Sequence, residues 1–132
     1  MKKLTIDSSV IIASLLENEL KHSEALQVWD AVISGRDVAI MPYSVFVEVA
    51  AAIRRRTGSK ELANNVKEEL LKIGNIFFVG LDQRAAEQAA DLAIQTGVRG
   101  MDALVIQTAK EFETELVTFD EEMLNKSKTV LK

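Results

Sequence analysis

The chain has 132 residues, 48% of them hydrophobic, a formal net charge of -4 and no cysteine. That much apolar material suits one globular domain over residues 1–132, burying roughly two-thirds of its unfolded surface without covalent staples. Without cysteine there are no disulfides, thiolate zinc sites or cysteine nucleophiles, and one histidine, His22, offers little for an imidazole metal site or a Ser/His triad.

The acidic balance argues against broad electrostatic attachment to nucleic acid but leaves room for a local basic patch, and Arg54-Arg55-Arg56 is one. The same run reads equally well as helix C-terminal charge. Met1-Lys2-Lys3-Leu4 has the charge of a signal peptide, yet Asp7 interrupts the apolar stretch such a peptide needs. No run reaches the roughly 18 apolar residues of a membrane span. The expectation is a cytoplasmic protein with no membrane partner.

Strand-like and helical patterns alternate along the chain. Residues 3–7 read as a strand and 9–16 as a short helix capped by Asp7 or Ser8. A helix over 23–34 puts Ala25, Leu26, Trp29, Val32 and Ile33 on one stripe, with Gly35 at its stop. Residues 38–41 form a strand, Ser44 caps a helix to 56, and Thr57-Gly58 ends it. Ser59 opens a further helix to 73. A strand over 76–79 reads as buried, with Phe77 and Phe78 inside. Asp82 caps a helix over 83–95, followed by a helix over 101–113, a strand over 116–119, a helical turn over 121–124 and a last strand over 129–131. Short, continuous apolar strands alternating with helices predict an α/β three-layer fold: a short parallel sheet of four or five strands, flanked by helices. In such sheets functional groups collect beyond the carboxyl ends of the strands.

Four carboxylates stand where a carboxylate needs explaining. Asp7 ends the run Leu4-Thr5-Ile6, and Asp120 follows Leu116-Val117-Thr118-Phe119. Glu48 shares a helix face with Val45 and Ala52, and Asp102 lies on the side of Val105, Ile106 and Ala109. A buried unpaired carboxylate is costly and must find a partner or a proton. Each also has a structural explanation. Asp7 and Asp120 could cap the helices after them, with Thr118 and Glu121 at capping-box spacing. Asp102 could serve a helix dipole, and Glu48 could pair with an arginine. Four separate coincidences are then required. If the four converge, their repulsion raises their pKa values and a divalent cation relieves it. An all-oxygen donor set favours Mg²⁺ or Mn²⁺, which activate water for attack on phosphorus.

Other residues are secondary. Arg99 could contact phosphate, pair with a carboxylate or face solvent, His22 reads as exposed, and Trp29 reads as core. A phosphoacceptor domain wants an acidic pair after the first strand, where Asp7 is followed by Ser8. A haloacid-dehalogenase-like phosphatase wants a second aspartate where Ser9 stands.

Ile6-Asp7-Ser8-Ser9-Val10-Ile11, Pro42 with Glu48-Val49, Gly100-Met101-Asp102-Ala103-Leu104, and Leu116-Val117-Thr118-Phe119-Asp120 together resemble the four motifs of PIN domains. The resemblance spans the chain, and the length is similar to VapC-type toxins. It implies an Mg²⁺- or Mn²⁺-dependent endoribonuclease acting on RNA, the toxin of a type II toxin–antitoxin pair. Asp7, Glu48, Asp102 and Asp120 would be the acidic quartet, with Asp7 and Asp102 the direct ligands. Ser8, Ser9 and Thr118 would support it, while Arg54, Arg55, Arg56 and Arg99 would be candidates for RNA contact. A homodimer and a small antitoxin partner are also implied. The competing expectation is a catalytically silent module on the same fold that binds RNA or protein.

Overall fold

Apolar runs of three to five residues alternate with amphipathic stretches, and a chain so patterned buries both by laying helices over a parallel sheet. The computed structural model describes residues 1–131. Its elements are β1 (Lys3–Ile6), α1 (Ser8–Leu15), α2 (His22–Ile33), β2 (Val38–Pro42), α3 (Tyr43–Thr57), α4 (Lys60–Lys72), β3 (Ile76–Val79), α5 (Gln83–Thr96), α6 (Gly100–Phe112), β4 (Glu115–Val117) and α7 (Glu121–Ser127). The sheet order is β3-β2-β1-β4, with every pair parallel. The α/β fold expected from the strand–helix alternation is thus observed. Helix α1 packs on α2 and α3, α3 packs on α4, α5 packs on α6, and α6 lies against β1 and β2. Among the described residues, no helix is long and apolar enough to cross a membrane.

The core is aliphatic. Ile6, Val10, Ile11, Met41, Val45, Val49, Ile53, Ile106 and Met123 are fully buried, and Trp29 joins them as expected. Gly35, Gly58 and Gly97 follow α2, α3 and α5 with φ of +83°, +73° and +78°, the left-handed stop that favours glycine.

Several local expectations are corrected. Residues 129–131 make no strand: the N–H groups of Val130 and Leu131 bond back to the Ser127 carbonyl (3.0 and 2.8 Å), so turns continue α7. The described sheet therefore has four strands. Helix α3 starts at Tyr43 with Pro42 in the cap position, and Ser44 lies inside the first turn. Its buried hydroxyl has no hydrogen-bond partner. Proline's fixed φ and missing N–H suit a helix entrance, which moves the start ahead of the serine. Phe77 is 53% exposed and Phe78 half-buried, because β3 is an edge strand. On the α2 stripe Ala25, Trp29 and Val32 are buried, while Ile33 is half exposed. His22 is half-buried, its Nδ1 hydrogen-bonded to the Ala13 carbonyl oxygen (2.7 Å).

Candidate active site

The strand order decides where a site can form. From β1 the chain steps to β2 and then β3 on one side, and returns to the other side as β4. The switch point thus falls between β1 and β4, where their carboxyl ends diverge and leave a crevice. Asp7 follows β1 and Asp120 comes three residues after β4, so both stand at that crevice. Glu48 reaches the same edge from the second turn of α3, after β2. Asp102 reaches it from the first turn of α6.

Asp7 is only 7% exposed, although it is a carboxylate. It occupies the cap position of α1 but makes no side-chain cap bond, so the capping explanation does not hold. Its Oδ2 instead accepts from Ser9 Oγ (2.8 Å) and Thr118 Oγ1 (3.0 Å), while its N–H donates to the Val117 carbonyl (2.9 Å). Thr118 Oγ1 also accepts from the Asp120 N–H (3.1 Å), and Ser9 Oγ from the Phe119 N–H (3.4 Å). Two hydroxyls therefore tie the loop after β4 to the carboxylate after β1. Asp120 does cap α7: its Oδ1 accepts from the Met123 N–H (3.0 Å). The capping box through Thr118 is not formed. The other oxygen of Asp120 faces Arg99 (4.0 Å), so one carboxylate serves a helix with one atom and the crevice with the other.

Glu48 and Asp102 are electrostatically uncomfortable. Burial, then the charge of Asp7, pushes the Glu48 carboxyl above its ordinary range; the neighbouring Ser8 hydroxyl opposes this, Asp102 adds to it and Arg99 opposes it. Burial and then Asp7 also push Asp102 upward, with Arg99 opposing and Asp120 adding. Asp7 is thus the strongest like charge felt by both. Arg99 is the one opposing cation. Its Nε lies 3.7 Å from Asp102, yet its side chain is 83% exposed, so these are weak surface pairs.

All seven acidic and supporting residues named from the sequence thus meet at one edge. Arg99 joins them through carboxylates. Arg54, Arg55 and Arg56 do not: they fill the last turn of α3, roughly 10 Å along the helix from Glu48, and Arg56 is engaged by Glu19 (3.3 Å). Glu122 escaped the sequence reading, because a second acid in the first turn of a helix looks like dipole compensation. It lines a cavity of about 360 Å³ together with Arg99, Asp102 and Asp120. Among the described residues, no three acidic or imidazole side chains already form a cage for an ion. The donor chemistry suits a hard cation even so: oxygens only, two of the acids raised first by burial and then by the charge of Asp7, and Arg99 as a loosely held counter-charge.

The PIN domain family model matches residues 4–128. The chain belongs to the PIN domain family. Among solved structures, it is similar in fold to VapC20 of Mycobacterium tuberculosis, described as a Sarcin-Ricin loop cleaving toxin. The TM-score is 0.78 at 17% identity, covering 92% of this chain and 93% of that one. It is also similar to FitAcB from Neisseria gonorrhoeae (TM-score 0.69, 15% identity, 95% of this chain and 93% of that one). VapBC2 from Rickettsia felis, bound to a DNA fragment from its promoter, follows (0.66, 12%, 94% and 92%). At these identities the likeness concerns the fold. No curated protein matches the chain in sequence. For this PIN domain the motif residues picked out in sequence and the crevice built by the topology coincide.

Proposed function

We propose that this PIN domain is an Mg²⁺- or Mn²⁺-dependent endoribonuclease, the toxin of a type II toxin–antitoxin pair working in the cytoplasm. The observation that carries the reading is Asp7: a buried carboxylate, fixed by two hydroxyls at the switch point, whose charge is felt by both Glu48 and Asp102. Asp7 and Asp102 would hold the ion directly, with Glu48 and the free oxygen of Asp120 completing the set. When bound, such an ion lowers the pKa of water and neutralises charge at the phosphate. The chain's own contribution is placement. Ser9 and Thr118 hold Asp7 Oδ2, and the Ser8 hydroxyl offsets part of the charge cost at Glu48. Arg99 stands at the rim, free to turn from Asp102 towards an incoming phosphate.

The partners in this reading are RNA, a small antitoxin and a second copy of the chain. Exposed Tyr43, Leu81 and Phe112, which line one pocket, support an association surface. An apolar groove lined by Leu15, Trp29, Ile33, Leu62, Val66 and Ile73 supports a helical partner.

The test is RNA cleavage with Mg²⁺ or Mn²⁺, with chelator, and with Asp7→Asn. Turnover that survives both chelator and substitution sinks the mechanism. One observation favours a silent binding module instead: the four acids, as they stand, form no ready cage. RNA binding without turnover under either metal would establish that alternative.

A further inference from the structure

A site ringed by carboxylates must still receive a polyanion. Cations at its rim offset that repulsion only if their charge is not already spent. Arg99 is shared between Asp102 and Asp120. Arg56, Lys72, Arg84 and Lys126 are paired with Glu19, Glu69, Glu111 and Glu122. Lys21 differs. Its ammonium sits 5.2 Å from the centroid of the Phe119 ring and is in no ion pair among the described residues. Glu19, two residues earlier, is held by Arg56.

The placement of Lys21 is set from both sides. Its carbonyl accepts from the Ala25 N–H (2.9 Å), and the next residue, His22, is bonded through its ring to Ala13 and through its N–H to the Glu19 carbonyl (3.1 Å). Opposite it, Phe119 lies between Thr118 and Asp120, and its N–H reaches Ser9, the partner of Asp7. A ring holds a cation at an exposed site with about 0.5–1 kcal/mol and leaves its charge un-neutralised. A compact ammonium in that position suits a phosphate oxygen and reads no base.

We propose that Lys21, held over Phe119 beside the acidic crevice, binds a backbone phosphate flanking the one at the carboxylates. The proposal rests on the nuclease reading and adds a binding residue that no motif of the chain points to. The competing role is structural, a staple that pins residues 16–21 to the loop after β4. A staple affects melting temperature; a phosphate contact affects the salt dependence of binding.

The experiment measures binding of a labelled single-stranded RNA, in chelator, by the full chain carrying Asp7→Asn, which suppresses turnover, across a salt series. Adding Lys21→Gln should weaken binding roughly three- to tenfold at low salt and reduce the log–log salt slope by about 0.7. Lys21→Arg should restore both. In the chain with Asp7 intact, Lys21→Gln should raise KM with kcat little changed. An unchanged slope with a lowered melting temperature overturns the proposal in favour of the staple. Failure of the chain with Lys21 intact to bind or cleave RNA overturns the nuclease reading itself, and with it this role.

Discussion

The two ends of the sheet hold similar residues and use them in opposite ways. At the amino end, Asp37 Oδ1 accepts from the Lys2 N–H (2.9 Å), and Asn75 Nδ2 donates to the carbonyls of Val32 and Asp37. The Val38 and Ala39 N–H groups bond to the carbonyls of Lys2 and Asn75 (3.0 and 3.1 Å). These polar groups join the starts of β1, β2 and β3 and serve the fold. At the carboxyl end, Asp7, Glu48 and Asp102 face one another, and two of them are pushed towards protonation. Like charges gathered against an energetic cost make the carboxyl end the candidate for binding. The position of a carboxylate on the sheet separates the two uses; the residue type does not.

The largest expected effect tests that separation directly. Asp7→Asn should lower metal-dependent RNA cleavage by roughly 10²–10³-fold, with the circular dichroism spectrum preserved. Asp37→Ala should leave cleavage within about twofold and lower stability by about 1 kcal/mol, read from urea unfolding. If both substitutions act alike on cleavage and on unfolding, the two ends are not functionally distinct.

Arg99 tests the acidic end from the opposite direction, since it partly neutralises Asp102 and Asp120. Arg99→Gln removes a positive charge about 4 Å from two proposed ligand carboxylates. Mn²⁺ binding, followed by calorimetry without RNA, should tighten roughly three- to tenfold. An affinity that does not change would mean that the exposed guanidinium is too well screened to be felt at the site.

The acidic end was legible before the fold was known because its signals are local. Asp7 and Asp120 close apolar runs, and Glu48 falls on the stripe of Val45, Val49 and Ala52 that the helix buries. Turn chemistry was equally legible: Ser59 and Asp82 cap α4 and α5 through the Leu62 and Ala85 N–H groups (3.0 and 2.8 Å). What escaped depends on tertiary neighbours. Ser44 has the composition of a cap, but the backbone of Pro42 starts the helix before it. Residues 129–131 have the β propensity of a strand, yet they bond back to Ser127. The Lys21–Phe119 contact joins residues 98 positions apart (119 − 21), and no periodicity encodes it.

The smallest expected effect is on stability, and its sign separates the two ends most cleanly. Glu48 and Asp102 have folded-state pKa values above their ordinary 4.5 and 3.8. Between the ordinary and the raised value the native chain binds more protons than the unfolded chain, so stability falls as pH rises through that window. Below it both groups are protonated in either state and the cost of burying their charge beside Asp7 is absent; above it that cost is fully present. In chelator, Glu48→Gln should therefore match the unsubstituted chain near pH 4.5 and exceed it at pH 8, by a few degrees of melting temperature. Added Mg²⁺ should close that gap by stabilising only the chain that keeps Glu48, because the ion meets the charge the substitution removes. A substitution that destabilises at pH 8 in chelator would mean that Glu48 is held by partners, as Asp37 is, and that the carboxyl end is built for the fold after all.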